Sequence, residues 1–279
     1  MYEIGFVVLH YKTFDDTKNC IDSVLASNPS FPIVVVDNGS MNGTGERLRE
    51  LYSGNDWVEI LLLENNLGFA NGNNAGIEHI RRKYAPRFIT VMNNDTLLEQ
   101  NDFKDKVAEE YERSHFSVLG PQIITKDGLN VSNPVEYVVD SKEKAKKLIL
   151  KREIKLILNR LHLNFLIHDV GQAVKTVGLY DNLKRYEDVK LHGACWIFSE
   201  EFFEHFEGLN KSTFLYFEED ILYLSVRDAG LKTVYNPELV IRHLEDASTN
   251  SITKNQREKN IFVLENEIKS LNVLVRILE

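Results

Sequence analysis

The chain has 279 residues, of which 43% are hydrophobic and 27% charged, and its formal net charge at pH 7 is −9. These values are typical of a globular protein with one large domain or two small ones, and they exclude collagen, coiled coils and intrinsic disorder. The acidic balance argues against a nucleic-acid partner, because proteins that neutralise many phosphates carry a basic surplus. The only cysteines, Cys20 and Cys195, form no CxxC pair, which disfavours a zinc site and a disulfide framework.

The N-terminal residues MYEIGFVVLH place an acidic residue where a signal peptide needs basic ones, and their apolar run stops at His10. No apolar stretch approaches the length of a bilayer-spanning helix. The sparse use of cysteine fits a reducing compartment. We therefore expect a cytoplasmic protein.

The first hundred residues alternate between short apolar runs and helical stretches. Four runs are rich in β-branched residues and too short for helices, as expected for strands buried on both faces of a parallel sheet. They cover residues 4–9, 33–36, 58–63 and 88–92. The spacers at 13–26, 45–52 and 71–84 predict crossover helices. This alternation predicts an α/β fold with an open, mostly parallel sheet flanked by helices.

Polar residues follow each of the four predicted strands. In open α/β sheets, ligands bind beyond the carboxyl ends of the strands. Turns also favour these residue types, so a single cluster is a weak signal. Four clusters together predict one shared ligand site. They are His10-Tyr11, Asp37-Asn38-Gly39-Ser40, Glu64-Asn65-Asn66 and Asn93-Asn94-Asp95.

The segment 65–76 is rich in Asn and Gly, and its glycines stand at positions 68, 72 and 76. This spacing matches neither GxGxxG nor the P-loop, which disfavours a NAD-binding fold and an ATPase. Glycines at the start of a helix let free N–H groups approach a ligand closely. Helix capping and close helix packing are the alternative explanation for one or two of these residues.

Two carboxylates at strand ends could bind parts of a nucleotide ligand. Asp37 could accept hydrogen bonds from the imide N–H of uracil or thymine, or from a ribose hydroxyl. Asp95 is a hard oxygen ligand that suits Mg²⁺ or Mn²⁺. A turn or helix cap would explain either residue equally simply.

The second half is less regular. Residues 118–124 predict a strand, and 130–139 a weaker one. Residues 142–160 contain eight basic and two acidic residues, a local net charge of +6, so the rest of the chain carries −15. This segment predicts an amphipathic helix that lies on an anionic membrane, binds a lipid phosphate, or covers the core with its apolar side. The predicted apolar stripe contains Leu150, Ile154, Leu158 and Leu161. Residues 255–279 predict another amphipathic helix, which packs on the domain or on a second subunit of a homodimer.

Three further segments contain candidate site residues. Gly193 and Ala194 are small enough to make room for a sugar ring, whereas Cys195 fits a buried apolar position better than a catalytic thiol. The acidic residues 218–220 open a predicted helix, where they could cap it or supply a general base. His243 ends an apolar run and could be a metal ligand or a residue on the rim of the site.

In chain order these segments resemble the family 2 glycosyltransferases of the GT-A fold, in particular bacterial members of the rhamnosyltransferase-like, polysaccharide-assembly type. The resemblance spans residues 3–250 apart from 135–188. It rests on VVLHYK, VVVDNGS, ENNLGFANGNNAGI, VMNNDT, HGACWIFSEEFF and FLYFEEDILYLSVRDAGLKTVYNPELVIRHLEDAST. It implies a nucleotide-sugar donor, a divalent metal and an inverting displacement at the anomeric carbon.

The resemblance also implies a domain organisation. A single GT-A-like domain covers residues 1–250, with a Rossmann-like nucleotide-sugar-binding half at 1–115 and an acceptor half at 116–250. A basic helical insertion lies at about 136–188, and residues 251–279 form a C-terminal helical tail.

Residue roles follow from the same resemblance. Asp95 is the last residue of the DxD metal motif, here Asn93-Asn94-Asp95, and His243 matches the late histidine near the diphosphate and the metal. Glu219 and Asp220 lie in the acidic motif that supplies the general base. Counting back from Gly230 indicates Glu219, whereas the EED pattern followed by Ile221 indicates Asp220. We prefer Asp220, and both are candidates. The expected nucleotide-sugar contacts are His10, Tyr11, Asp37, Asn66, Gly68, Asn71, Asn73, Asn94, Gly193 and Ala194.

The implied reaction moves a sugar, first of all L-rhamnose from dTDP-rhamnose, to a hydroxyl of a polysaccharide or lipid-linked oligosaccharide, with Mg²⁺ or Mn²⁺ as cofactor. UDP-galactofuranose, UDP-galactose and UDP-glucose are alternative donors. A sugar-1-phosphate nucleotidyltransferase is a second hypothesis, disfavoured because no glycine-rich loop with a basic residue follows the first strand. A non-catalytic nucleotide-sugar-binding protein is the third. The basic helix at 142–160 predicts peripheral contact with the inner face of the plasma membrane.

Overall fold

The structure is a computed structural model, and it describes residues 3–126, 128, 132–163, 179–244 and 255–279. In these ranges the strands are β1 (Ile4–His10), β2 (Ile33–Asp37), β3 (Val58–Leu62), β4 (Phe88–Asn93), β5 (Thr96–Leu97), β6 (Val118–Thr125), β7 (Tyr186–Glu187), β8 (Cys195–Phe198) and β9 (Thr233–His243). The helices are α1 (Phe14–Ser27), α2 (Thr44–Leu51), α3 (Gly68–Tyr84), α4 (Phe103–Ser114), α5 (Lys142–Arg160), α6 (Glu200–His205), α7 (Glu218–Asp228) and α8 (Gln256–Ile277).

The strands of the described residues form one mixed sheet, in the order β3-β2-β1-β4-β8-β6-β9-β5, and β7 pairs with β9 outside this path. The first four strands run parallel. Strand β8 lies antiparallel between β4 and β6. The order of the strands along the chain reverses between β1 and β4, and a doubly wound sheet binds its ligands beside such a reversal. The α/β fold with a mostly parallel sheet is therefore as predicted.

Helices cover both faces of the sheet, which explains the unbroken apolar character of its strands. All five residues of β2 are buried, as expected when neither face meets water. One face packs against α1, α2 and α4 through Ile21, Leu48 and Val107. The other packs against α3 and α7 through Ile77 and Leu222.

The C-terminal helix α8 lies outside this sandwich, against α5 and α7. Leu271 and Leu274 of α8 share a buried cluster with Ala145 of α5 and with Ile221 and Leu224 of α7. Asn255 begins the helix, and its side chain accepts a hydrogen bond from the backbone N–H of Glu258. The final helix therefore packs on the domain, which was one of its two predicted positions.

The predicted strand at 130–139 is wrong for the part of it that the structure describes. Residues 132–139 form no strand, because their polar groups bond to isolated backbone carbonyls and side chains and form no ladder. The Asn133 side chain donates to the carbonyl of Pro121 at 2.9 Å. The backbone N–H of Val139 donates to Asp220 Oδ1 at 2.8 Å. Residues 130 and 131 lie outside the described residues.

Helix α5 has the predicted bounds, but its apolar stripe does not face the core. Leu150, Ile154 and Leu161 are 58%, 50% and 61% exposed, whereas Leu158 is half-buried. The opposite side of the helix is buried, at positions that include Ala145 and Leu156. The idea that this stripe covers the core is therefore wrong. None of the helices in the described part of the chain combines the length and apolarity that a bilayer-spanning helix needs.

Candidate active site

A cavity of about 190 Å³ lies at the carboxyl ends of β1 and β4, beside the turn that begins α3. Four residues predicted from the sequence line it: Tyr11, Asn66, Gly68 and Asn94. The lining also contains residues that sequence reasoning did not assign to the site, namely Leu9, Asn38, Phe69, Asn93, Leu215 and Tyr216. Asn38 and Asn93 belong to the predicted strand-end clusters. Leu215 and Tyr216 belong to the FLYFEED segment that supports the resemblance, but the sequence pattern assigned them no role.

Asn38 joins the end of β2 to the glycine-rich turn. Its Nδ2 donates to Asn66 Oδ1 at 3.1 Å and to the carbonyl of Gly68 at 3.0 Å. Its Oδ1 accepts from the backbone N–H of Leu67 at 2.9 Å. Asn66 Oδ1 in turn accepts from the backbone N–H of Gly68 at 2.8 Å. These bonds hold the turn against the strand end, so its shape is set before a ligand arrives.

Gly68 lets the chain segment at Phe214 approach this turn. Its φ is +81°, and a Cβ atom there would lie 2.3 Å from the carbonyl oxygen of Phe214. The next residue, Phe69, donates its backbone N–H to the same oxygen at 2.8 Å. The neighbouring residues Leu215 and Tyr216 reach the cavity in this way.

We expect Gly68→Ala to destabilise the protein by at least about 2 kcal/mol, because it combines left-handed strain with a collision against backbone. Gly43→Ala is a matched control, since Gly43 has a φ of +80° but no atom within 4 Å of the added Cβ. Gly43→Ala should lower the free energy of unfolding by about 1 kcal/mol, because it introduces the left-handed strain alone. Urea unfolding of both variants measures the difference. Equal losses would contradict the close approach of Phe214.

His10 and Asp37 are not among the lining residues. His10 is fully buried, with its ring nitrogens 2.6 Å from Thr17 Oγ1 and 2.8 Å from Thr44 Oγ1. Burial lowers its pKa, against an opposing effect of the Asp37 carboxylate. Asp37 is 5% exposed and accepts from the backbone N–H of Ser40 at 3.0 Å. In this arrangement the two residues stabilise the strand ends under α2. That they contact a nucleotide remains a prediction from the sequence.

Asn71 and Asn73, from the same predicted set, also point elsewhere. Asn71 Nδ2 donates to the carbonyl of Lys211 at 3.1 Å, which fastens α3 to the loop before α7. Asn73 is fully buried and donates to the carbonyl of Phe69 at 3.0 Å. Asn71 lines a separate open groove of about 940 Å³ along the outer side of α3, with Arg81, Arg82 and other charged residues. The strand-end polar groups meet at the smaller cavity, which is therefore the better candidate site.

The pairing of β5 with β9 brings Asp95 beside His243. Thr96 stands opposite His243 in this ladder, and His243 Nε2 lies 3.2 Å from Asp95 Oδ1. Both side chains are nearly buried, at 9% and 12% exposure. Asp95 Oδ1 and His243 Nδ1 are buried without a hydrogen-bond partner among the described residues. A carboxylate and an imidazole with unsatisfied atoms form a donor set that fits a divalent cation.

His192 links this pair to a second carboxylate. Its ring centroid lies 5.9 Å from that of His243, and its Nδ1 lies 3.9 Å from Glu219 Oε1. Asn133 holds the His192 backbone by accepting its N–H at 2.7 Å. The sequence placed His192 beside Gly193 but gave no reason to assign it a role. Asp95, His243, His192 and Glu219 thus form one continuous row, which we call the acid–histidine row.

Gly193 and Ala194 lie at the Glu219 end of the acid–histidine row. The backbone N–H of Gly193 donates to Glu219 Oε1 at 2.6 Å, which fixes the carboxylate. Ala194 is fully buried, and its N–H donates to His192 Nδ1 at 3.1 Å. These two residues therefore orient Glu219 and His192 through their backbone. Their predicted role as space for a sugar ring stays a prediction.

Glu219 and Asp220, the two candidates for the general base, have different surroundings. Asp220 is buried and paired with Lys190, whose Nζ lies 3.0 Å from Asp220 Oδ2. Its other oxygen accepts from Val139. Glu219 is 29% exposed. A base must reach a substrate hydroxyl, so this difference favours Glu219 over our sequence-based preference for Asp220.

Glu218 is the third carboxylate at the start of α7. Burial raises its pKa to about 7, and the neighbouring Glu219 carboxylate contributes in the same direction. Its Oε1 is buried without a hydrogen-bond partner among the described residues. The two residues before it, Tyr216 and Phe217, both have a positive φ, at 74° and 64°. The start of α7 therefore combines backbone strain with a carboxyl group that holds a proton near neutral pH.

We expect Glu218→Gln to stabilise the protein at high pH. The pKa of Glu218 is higher in the folded state than in the unfolded state, so protonation of this carboxyl favours the folded state. This stabilisation is fully present below about pH 4.5 and is lost as the pH rises through 7. The advantage of the neutral Gln should therefore grow from near zero at pH 4.5 to about 2–3 kcal/mol above pH 7. Denaturant unfolding at several pH values measures it. A difference that does not change with pH would contradict the prediction.

Both cysteines behave as apolar core residues, as was predicted for Cys195. Both are buried and free, and burial raises the pKa of the Cys20 thiol to about 12 and that of Cys195 further. A thiol that keeps its proton is a poor nucleophile. Neither cysteine is therefore suited to a covalent reaction step.

Two curated proteins whose names refer to glycan or cell-wall polymer biosynthesis are similar in sequence to the chain. The chain is 25% identical over 218 residues to the low-salt glycan biosynthesis hexosyltransferase Agl10 of Haloferax volcanii, covering 78% of this chain and 59% of that protein. It is 24% identical over 127 residues to the putative teichuronic acid biosynthesis glycosyltransferase TuaG of Bacillus subtilis, covering 45% and 49%. The chain thus spans between about half and three fifths of the length of these relatives.

Solved structures share the fold. TarS 1–349 of S. aureus in complex with UDP matches with a TM-score of 0.56 at 12% identity, covering 99% of this chain and 69% of that chain. GalNAc-T7 with UDP, GalNAc and Mn²⁺ matches with a TM-score of 0.57 at 12% identity, covering 94% and 48%. The sequence profile of the family described as "Glycosyl transferase family 2" matches residues 6–170, more than half of the chain. The sheet, the strand-end cavity and this match together show that the chain belongs to glycosyl transferase family 2.

Proposed function

We propose that the chain is an inverting glycosyltransferase. It moves a sugar from a UDP- or dTDP-sugar to a hydroxyl group of a polysaccharide or lipid-linked oligosaccharide. The observation that carries this proposal is the acid–histidine row, in which a candidate metal-binding pair and a partly exposed carboxylate are joined through His192. Such a row supplies what the reaction needs at its two ends, a site for the diphosphate and a base for the acceptor.

Asp95 and His243 would hold a divalent cation, Mg²⁺ or Mn²⁺, together with oxygens of the diphosphate. A bound cation would stabilise the negative charge that develops on the leaving nucleoside diphosphate. The unsatisfied buried atoms of both residues support this assignment. No cluster of three or more His, Cys, Asp or Glu side chains suitable for a metal occurs in the described residues, so substrate oxygens would have to complete the shell.

Glu219 would act as the general base. An acceptor hydroxyl is a poor nucleophile until a positioned group takes its proton, and such a group typically contributes about 10²–10⁴-fold to the rate. The hydrogen bond from Gly193 holds Oε1 in place, which leaves Oε2 for the acceptor hydroxyl. A single displacement with inversion needs no covalent intermediate. The burial of both thiols is consistent with such a mechanism.

The cavity lining suggests how the nucleotide sugar is held. Asn38 and Asn66 fix the glycine-rich turn, and Tyr11 and Tyr216 bring aromatic rings to the same cavity. The donor is proposed as dTDP-rhamnose first, on the resemblance of the motifs. UDP-galactofuranose, UDP-galactose and UDP-glucose are the alternatives. TarS and GalNAc-T7, which share the fold, were solved with UDP, and this supports a uridine or thymidine diphosphate.

A thermal-shift panel tests the proposal, because a ligand that binds only the folded state raises the melting temperature. We expect UDP or dTDP and one of their sugars to stabilise the protein in the presence of Mn²⁺, with a smaller shift when EDTA replaces the metal. Failure of every nucleoside diphosphate with metal present would sink the proposal. Slow release of nucleoside diphosphate from the best donor then tests for catalysis, and a complete lack of turnover would favour the non-catalytic binding protein.

We expect Asp95→Asn to abolish the Mn²⁺-dependent part of the thermal shift, because a neutral amide is a weaker ligand than a carboxylate. Donor hydrolysis should fall with it. Asp56→Asn is a matched control, since Asp56 is an exposed residue of another loop. Unchanged metal dependence in Asp95→Asn would show that the cation binds elsewhere.

A further inference from the structure

The outward face of α5 is exposed, and the proposed reaction does not use it. Its exposed apolar residues are Leu150, Ile154, Ile157 and Leu161, at 58%, 50%, 54% and 61% exposure. They follow each other at intervals of four, three and four residues, which places them on one side of the helix. An apolar stripe of this length on the solvent side is unusual for a helix that already packs on the domain by its other side.

The inward face of α5 is fully occupied, so the stripe cannot be turned to the core. Arg152 Nε lies 2.7 Å from Glu267 Oε2 of α8. Arg257 of α8 donates to the carbonyl of Asn159 at 2.8 Å. Ala145 and Leu156 are buried on the same side. These contacts fix the rotation of α5 about its axis, and with it the direction of the stripe.

Lysines border the stripe on both sides. At 100° per residue, Lys146 falls on one side of the stripe, and Lys147 and Lys151 fall on the other. All three are exposed, and within the described residues none of them has a carboxylate partner at ion-pair distance. Other cations of the helix are paired, for example Lys144 with Asp140 at 2.7 Å. The surface thus combines apolar side chains with cations that have no partner in the described part of the fold.

We infer that this outward face of α5 docks onto an anionic lipid bilayer. Apolar residues of an interfacial helix enter the boundary between headgroups and acyl chains, while flanking lysines meet anionic headgroups. A second copy of the chain fits less well, because the same face of two copies would bring like charges together. The benefit to catalysis rests on the proposed function, since α5 shares a buried cluster with α7, the helix that carries Glu219. A lipid-linked acceptor would then be held near the base.

Co-sedimentation with vesicles tests the docking independently of catalysis. We expect the protein to bind phosphatidylcholine vesicles that contain one third phosphatidylglycerol, and to bind pure phosphatidylcholine at least about 10-fold more weakly. Binding should weaken as salt is raised, because surface charges are screened. Charge reversal by Lys146→Glu, Lys147→Glu and Lys151→Glu together should reduce binding by at least about 100-fold, since loss of each lysine alone removes roughly a fivefold factor.

Ile154→Ser with Ile157→Ser removes half of the stripe and should reduce vesicle binding by at least about 10-fold. Leu51→Ser is the matched control, because Leu51 of α2 is 49% exposed and lies in another part of the fold; its binding should not change. If the folded protein does not bind anionic vesicles at low salt, the inference is overturned. The inference would also be overturned if the protein sedimented as a dimer and Ile154→Ser dissociated that dimer. Nucleotide binding without vesicles is measured in parallel, so failure of the docking and failure of the proposed function are distinguishable.

Discussion

Glu219→Gln is expected to lower the rate of sugar transfer by about 10²–10⁴-fold while nucleoside diphosphate binding is retained. The amide keeps an oxygen for the backbone N–H of Gly193, which is 2.6 Å from Glu219 Oε1 in the structure. It therefore preserves the local geometry and removes only the ability to take a proton. Transfer rates at saturating donor, together with calorimetric binding of UDP or dTDP, separate the two effects.

Asp220→Asn serves as the comparison for this variant. Asp220 is buried against Lys190. Its replacement should therefore lower the free energy of unfolding, while the transfer rate per folded molecule changes little. Full transfer activity in Glu219→Gln, with activity lost in fully folded Asp220→Asn, would move the base to Asp220. A loss of nucleotide binding in Glu219→Gln would instead mean that Glu219 holds the ligand and does not act as a base.

The parallel half of the sheet could be predicted from the sequence because its signals are local. Each of the first four strands is a short β-branched run, and the observed bounds differ from the predicted ones by one residue at most. Helix α5 was also predicted with its observed bounds, from its basic composition and the helical spacing of its apolar residues. In the structure, Ser141 caps its start. Local propensity and tertiary packing agree in these elements.

The orientation of α5 could not be predicted, because its sequence contains two apolar stripes. The stripe with Leu150 and Ile154 contains larger apolar residues than the buried one, which runs through Ala145, Arg152 and Leu156. Arg152 argues against burial until its partner Glu267 is known, and that partner lies more than a hundred residues further along the chain. Periodicity shows which residues share a face, and only the contacts with α8 show which face is inside.

The choice between Glu219 and Asp220 depended on distant residues in the same way. Lys190 lies thirty positions before its partner Asp220, in a segment whose pattern indicated no strand or helix. His192 likewise gains significance only because the pairing of β5 with β9 brings His243 and Asp95 near it. The sequence singles out the acidic cluster at 218–220, but the role proposed for each member depends on contacts between separate segments.

Lys190→Met is expected to destabilise the protein by about 3–5 kcal/mol, the usual loss when one partner of a buried ion pair is removed. Lys190 and Asp220 have side chains that are 4% and 6% exposed, so water cannot compensate for the missing charge. The exposed pair of Lys211 with Glu207 is a matched control, because its atoms are 2.9 Å apart but its side chains are 64% and 87% exposed. Lys211→Met should change the free energy of unfolding far less, because solvent screens an exposed ion pair.

The double variant Lys190→Met with Asp220→Asn tests the cause of this loss. It removes both charges, and the amide oxygen of the substituted side chain could still accept the hydrogen bond that Val139 donates to Asp220. We expect the double variant to recover much of the stability that Lys190→Met loses, because the main penalty is an isolated buried charge and not the absence of attraction. Urea unfolding of the wild type, both single variants and the double variant gives the coupling energy. If the stability losses of the two single variants simply add in the double variant, the two charges do not interact. Asp220 would then be free for another role.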